Sequence, residues 1–216
     1  MKVYTACLYL LLLVALSGCN AYHPADRQTD EHPLIYPSYE AVTFPCNIAP
    51  PNFRICTEGE QYQSEFGVEG EEPAFHVTST KPTVNIPPKQ WRKLTEQGAG
   101  KSIYFRITIR QAGEWVRYAD LTNRISEHPI DPYLTYRLLY PGYELWNEMG
   151  IYQRELSSYK ETPIVENRHF GHQCVNCHSY NQYRPDEMML HIRGPQGGTL
   201  ISRGGKVEKV NPKEPG

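Results

Sequence analysis

The sequence predicts a mainly β protein: a small β-sandwich, then an irregular segment, then a terminal β-hairpin. Three observations lead there. Eighteen prolines, 16 glycines and 16 tyrosines in 216 residues favour short strands between tight turns, because Pro and Gly break helices while aromatic side chains suit a pleated surface. Lys101 to Arg110 alternates strictly, with Ile103, Phe105, Ile107 and Ile109 on one face and Tyr104, Arg106, Thr108 and Arg110 on the other, the period of a half-buried antiparallel strand. One stretch, Pro88 to Gln97, has the signals of a short helix, with Gly98 to stop it.

Taken in order, residues 1–18 read as a signal peptide. Lys2 supplies a minimal positive start, and Ala6 to Leu16 is an apolar run too short to remain as a membrane span. Leu16-Ser17-Gly18-Cys19 looks like a bacterial lipobox, in which Cys19 becomes lipidated and N-terminal; the plainer alternative is an ordinary signal peptide with a chance cysteine. Several acyl chains at about 0.8 kcal/mol per buried CH₂ make such an anchor stable. The expected location is the cell envelope, on the outer membrane facing the periplasm, since no acidic cluster follows Cys19. Residues 19–37 carry Pro, His, Asp, Gln and Thr with little apolar periodicity, the composition of a flexible tether.

Residues 38–126 are expected to form the sandwich-like domain. Tyr39 to Phe44, Phe53 to Thr57, Phe75 to Ser79 and Thr83 to Ile86 supply short strands, and Ala112-Gly113 turns the 101–110 strand back through Glu114 to Tyr118 as a hairpin. Trp91, Trp115 and Tyr104 suit core or cross-strand packing better than a sugar platform. Residues 127–197, dense in Tyr, Arg and Pro with turns at Ile130 to Leu134 and Tyr140 to Glu144, are expected to be irregular. Residues 198–216 read as a hairpin and tail, marginal unless the hairpin packs on something.

Charge removes one function class. With 22 Lys and Arg against 24 Asp and Glu, and no basic run, the chain lacks the usual means of neutralising nucleic-acid phosphates. No nucleophile elbow, phosphate loop or dinucleotide fingerprint is present, so an electron carrier or binding protein is expected ahead of a catalyst.

Cysteine usage points to a cofactor. Cys7 leaves with the signal and Cys19 is assigned to lipid, which leaves two pairs. In an oxidising envelope Cys46 and Cys56 are expected to form a disulfide contributing about 3 kcal/mol, the alternative being two buried thiols. Cys174-Val175-Asn176-Cys177-His178 is the attachment sequence of a c-type haem: two thiols add across the porphyrin vinyl groups, and the adjacent histidine ligates iron. The predicted cofactor is therefore one covalent haem c, held by Cys174 and Cys177 with His178 as the proximal ligand. Met188 to Arg193 reads as a strand returning past the motif, which makes His191 the first candidate for the distal ligand; Met188, Met189, His169 and His172 compete. Phe170, Tyr180 and Tyr183 are candidate porphyrin walls, and Arg184 or Arg193 a propionate partner. A zinc site using Cys174 and Cys177 with two of His172, His178 and His191 is geometrically awkward, and no parallel strand precedes the CxxC as a thioredoxin-like pair requires. The region before Cys174 also lacks the helical period of a four-helix cytochrome.

Several stretches together, Asn47-Ile48-Ala49-Pro50, Ile130 to Arg137, Pro141 to Glu144, Gln153-Arg154, Cys174 to Ser179 and His191 through Thr199, resemble a group of Gram-negative envelope lipoproteins. In that group a haem-attachment motif lies between an N-terminal β domain and TolB-like β-propeller repeats. The resemblance spans about residues 36–207 and implies haem attachment by Cys174, Cys177 and His178, adds weight to His191, and makes this chain look like a shortened or truncated member in which the 198–210 hairpin is the start of a propeller. The expected function is that of a lipid-anchored periplasmic cytochrome-like protein, for electron transfer or redox sensing through a partner protein. The alternatives are an envelope scaffold with a structural haem and a zinc-stabilised binding module.

Overall fold

Ile103, Phe105, Ile107 and Ile109 are all fully buried, and the strand that carries them is the centre of the first of two units. The computed structural model describes residues 22–139, 148–195 and 197–210, and its contacts divide the chain between Ile130 and Asp131. Cys19, the signal segment, the Tyr140 to Glu144 turn and the tail from Asn211 lie outside the described residues.

The first unit contains β1 (Arg27–Gln28), β2 (Ile35–Tyr36), β3 (Thr43–Phe44), β4 (Phe53–Ile55), β5 (Gln61–Val68), β6 (Phe75–Ser79), β7 (Thr83–Val84), α1 (Pro88–Gln97), β8 (Ser102–Gln111), β9 (Glu114–Arg117) and β10 (Leu121–Ile125). Strand β8 pairs with β5 along one edge and with β9 and β10 along the other, while β6, β1 and β3 extend this seven-stranded sheet. Strands β2, β4 and β7 form a separate three-stranded sheet. Phe53 of β4 stacks on Phe105 at 6.0 Å, and Trp91 of α1 meets Phe105 edge-on at 6.2 Å. The small sheet and the helix therefore cover the same face of the large sheet, burying Phe66, Trp91, Leu94 and the β8 isoleucines in one core.

The β8–β9 hairpin turns where expected. Ala112 and Gly113 have φ of 50° and 85°, the left-handed pair of a type I′ turn, whose twist matches the flanking strands. Helix α1 ends as its Gly98 predicts, with the Gly98 N–H donating to the Leu94 carbonyl at 2.8 Å. The longest element absent from the sequence reading is β5. Its inward side chains are Tyr62, Ser64, Phe66 and Val68, and a serine among them weakens the apolar alternation.

Residues 22–37 are not the free tether expected. Strand β1 pairs in parallel with β9, and β2 pairs with β4 and buries Ile35. This docking uses backbone hydrogen bonds and ring stacking, neither of which requires apolar periodicity.

The second unit contains β11 (Tyr133–Leu139), β12 (Met149–Glu155), β13 (Glu161–Glu166), a 3-10 turn at Asn167–Phe170, β14 (Cys174–Tyr180), a 3-10 turn at Asn181–Tyr183, β15 (Glu187–Arg193), β16 (Gly198–Arg203) and β17 (Lys206–Val210). They form a three-stranded sheet, β11-β12-β13, and a four-stranded meander, β14-β15-β16-β17, both antiparallel. Ile151, Val175, Leu190 and Ile192 make its core, with Val165, Phe170, Met188 and Leu200 packed around them. The segment expected to be irregular is thus largely strand, and the terminal hairpin is joined to β15 through β16 rather than standing alone. Tyr133, Leu134 and Leu139 remain exposed and the buried core of this unit is small, so the apolar alternation is faint in the sequence. Among the described residues there are seventeen strands and one α-helix; the protein is mainly β. No helix among them is long and apolar enough to cross a membrane.

Candidate haem-attachment site

The motif lies on a strand with a bulge. Strand β14 forms because Val175 pairs with Ile192, and both are buried against Ile151 and Leu190. The register then shifts: Val175 is opposite Ile192 and His178 is opposite Leu190, so three steps on β14 match two on β15. The extra residue is the mark of a β-bulge. Side chains alternate between the faces of a regular strand, so residues three apart point opposite ways. The bulge cancels that alternation between Cys174 and Cys177. Cys174 pairs with Arg193, outside the core, and Cys177 falls within the bulge that faces His191.

The two thiols therefore share the outer face of the β14–β17 sheet, with Cys177 exposed and Cys174 half-buried. His191 shares it too, since it alternates with the buried Leu190 and Ile192. Its Nδ1 lies 3.2 Å from Thr199 Oγ1 on β16, a contact that orients the ring as a hydrogen-bond partner on one nitrogen orients a histidine that ligates through the other. Met189 is on the same face, two residues along β15, and is 47% exposed.

His178 is placed differently. Its partner across the ladder is the buried Leu190, and its ring meets Tyr180, two residues on, edge-on at 6.4 Å. It stands on the inner face with Tyr180 and Met188. Tyr180 is tied down by its hydroxyl, 2.9 Å from Thr135 Oγ1, and Asn176 accepts a hydrogen bond from Arg137 at 2.6 Å. The residues present thus fit thioether attachment of a haem on the outer face with His191 beside it. They do not bring His178 to that face while β14 keeps this register.

The other candidates are distributed around the motif. His169 Nε2 is 3.7 Å from Glu166 Oε2. Burial would raise the Glu166 carboxyl, but hydrogen bonds from Arg168 and Tyr152 and the nearby His169 hold it below the ordinary glutamate value. His172, with φ of 57°, is in the exposed turn before Cys174. Tyr183 is 97% exposed and walls nothing in this structure. Arg184 is 3.0 Å from Glu187, and Arg193 stands opposite Cys174. Cys46 and Cys56 are free: Cys46 Sγ approaches the Glu127 carbonyl and Cys56 Sγ the Arg54 carbonyl, each at 3.9 Å. The expected bridge is absent because Cys46 follows β3 of the large sheet while Cys56 follows β4 of the small one. Among the described residues, no three His, Cys, Asp or Glu side chains are grouped to hold a metal ion by themselves.

Sequence reasoning missed Arg203 and Glu187. They are cross-strand partners at the far end of the outer face, with Arg203 Nε 3.5 Å from the Glu187 carboxylate. A hollow of about 320 Å³ lies at this end of the sheet, lined in part by Ser179, Met189, Ile201 and Arg203. Only the β15–β16 register could have revealed this pairing. No protein-family model matches the chain, and no curated protein matches it significantly in sequence.

Proposed function

We propose that the protein carries one haem c on Cys174 and Cys177 and acts as a lipid-anchored electron carrier or redox sensor of the cell envelope, with Cys19 as the anchor. The observation that carries this reading is the bulge that brings both motif cysteines to one accessible face beside His191. A CxxC held flat in an unbulged strand would present its thiols on opposite faces. His191 is oriented by Thr199, and Met189 is the alternative ligand from the same face. Arg203 at one end and Arg193 at the other are cations for the propionates. When bound, the haem supplies a one-electron iron couple, low in potential with two histidines and higher with methionine. Ligation by His178 requires β14 to turn locally, and ligation by His191 does not.

The four-stranded meander has the strand number and sequential order of one propeller blade. It supports the resemblance to lipoproteins whose haem motif precedes TolB-like repeats, and with it a second reading in which the haem is structural and the sheets bind partners. The small sheet and helix facing the large sheet support a sandwich-like first domain.

The test is a pyridine haemochrome spectrum on protein made in a host with periplasmic attachment machinery, after acid-acetone extraction. One retained haem per chain, lost in the Cys174→Ser, Cys177→Ser double variant, is the expected result. A colourless protein, with zinc or with no metal, overturns the reading. Reversible reduction by a soluble donor separates electron transfer from a structural haem.

A further inference from the structure

The chain enters the first unit already fastened. Tyr22 meets His76 of β6 edge-on at 5.9 Å. The His23 N–H donates to Gln63 Oε1 at 2.9 Å, and the His23 carbonyl accepts from Gln63 Nε2 at 3.1 Å. Its ring stacks on Trp115 at 4.9 Å with the planes 11° apart. Asp26 and Trp115 then exchange two hydrogen bonds of 2.8 Å, from the Asp26 N–H to the Trp115 carbonyl and from the Trp115 N–H to the Asp26 carboxylate, before β1 pairs with β9. Gln63 is only 1% exposed, and both ends of its amide are paired with the His23 backbone, so the fastening is made at two points.

These contacts all lie on one side of the large sheet. Gln63 alternates with the inward Tyr62 and Ser64, so it faces away from the side covered by α1 and the small sheet. The entering strand crosses this outer face from β6 over β5 to β9. Thr108, which pairs with Gln63 on the polar face of β8, is likewise only 2% exposed.

We infer that this outer face is the membrane-facing side of the β unit, held against a lipid surface by a leash of three residues. The inference rests on the acylation of Cys19 proposed above. From Cys19 to Tyr22 there are three peptide links, about 11 Å at full extension. A free spacer to Pro37 would instead wander with a root-mean-square span of about 23 Å. The lipid-bearing cysteine sits at headgroup level, so the point at which the chain joins the sheet cannot leave the interface. Tyr22, at 51% exposure, presents there an aromatic ring with a polar tip, the type of side chain that settles at the membrane–water boundary.

The experiment uses the full lipidated chain in vesicles of phosphatidylethanolamine and phosphatidylglycerol that contain headgroup spin-labelled lipid as quencher. A fluorescent non-natural amino acid is placed at Ala74, exposed and in step with His76, or at Lys89, exposed on α1 on the covered side. Dye at position 74 is expected to lose its fluorescence and dye at 89 to keep it. A flexible Gly-Ser insert as long as residues 20–37, placed between Ala21 and Tyr22, is expected to restore the signal at 74. Equal quenching at both positions, or an insert without effect, overturns the inference. Mass analysis of the N-terminal peptide distinguishes the two failures: unmodified Cys19 removes the anchor and the inference together, whereas acylated Cys19 with equal quenching removes the inference alone.

Discussion

Ser64 faces the apolar core from β5, fully buried, and its hydroxyl has no hydrogen-bond partner among the described residues. A buried hydroxyl left unpaired costs about 1–3 kcal/mol. Ser64→Ala is therefore expected to raise the unfolding free energy by about 1 kcal/mol, read as a higher urea midpoint with an unchanged slope. The neighbouring Glu65 is on the opposite face, 4% exposed, across from Arg106 and His76. Burial pushes its carboxyl above the ordinary glutamate value, with Arg106, Arg117 and His76 opposing and Asp120 assisting. A carboxyl that holds its proton more tightly when folded favours the folded state while protonated, and that contribution is lost as pH rises through the raised value. Glu65→Gln has no such proton to lose. Its stability is expected to fall less than that of the parent as pH rises from the ordinary glutamate range through the raised value, and an equal or steeper decline would refute the assignment. Arg106 keeps its bidentate partner Asp120, at 3.0 and 2.9 Å, in either protein.

At the scale of elements, turns and bulges decide what strands present. Ala112 occupies a left-handed position in the β8–β9 turn, which costs a residue with a Cβ about 1 kcal/mol or more and favours asparagine followed by glycine. Ala112→Asn is expected to stabilise the first unit by about 0.5–1 kcal/mol, and thermal unfolding would show it as a higher midpoint. The β14 bulge acts in the same local way but with a chemical consequence. It changes which face Cys177 occupies without changing any residue. The hairpin and the end of α1 were legible in the sequence because Ala112-Gly113 and Gly98 act through their own backbone. The bulge was not, because it is defined by the pairing of Val175 with Ile192 and of His178 with Leu190, and the motif residues do not themselves encode which residue of β15 each will meet. Strand β5 escaped for a related reason: Ser64 and Gly67 interrupt its pattern, and only its pairing with β8 and β6 makes it central.

At the scale of the whole molecule, the chain forms two units, each with its own core. The first draws its core from residues 35–125, so residues 22–130 expressed alone are expected to melt in one cooperative transition with Trp91 still shielded from solvent; a broad transition or exposed tryptophan would show that the boundary is misplaced. The sequence by itself determined the mainly β character, the β8–β9 hairpin, the length of α1 and the presence of a CxxCH segment. Each depends on residues close together along the chain, where propensity and spacing act directly. Tertiary structure decided the rest. It placed the motif cysteines with His191 on one face and His178 on the other, left Cys46 and Cys56 unbonded, and turned an expected tether into a strap across the large sheet. These outcomes depend on which strands pair, and pairing is settled by the burial of both partners together rather than by either segment alone.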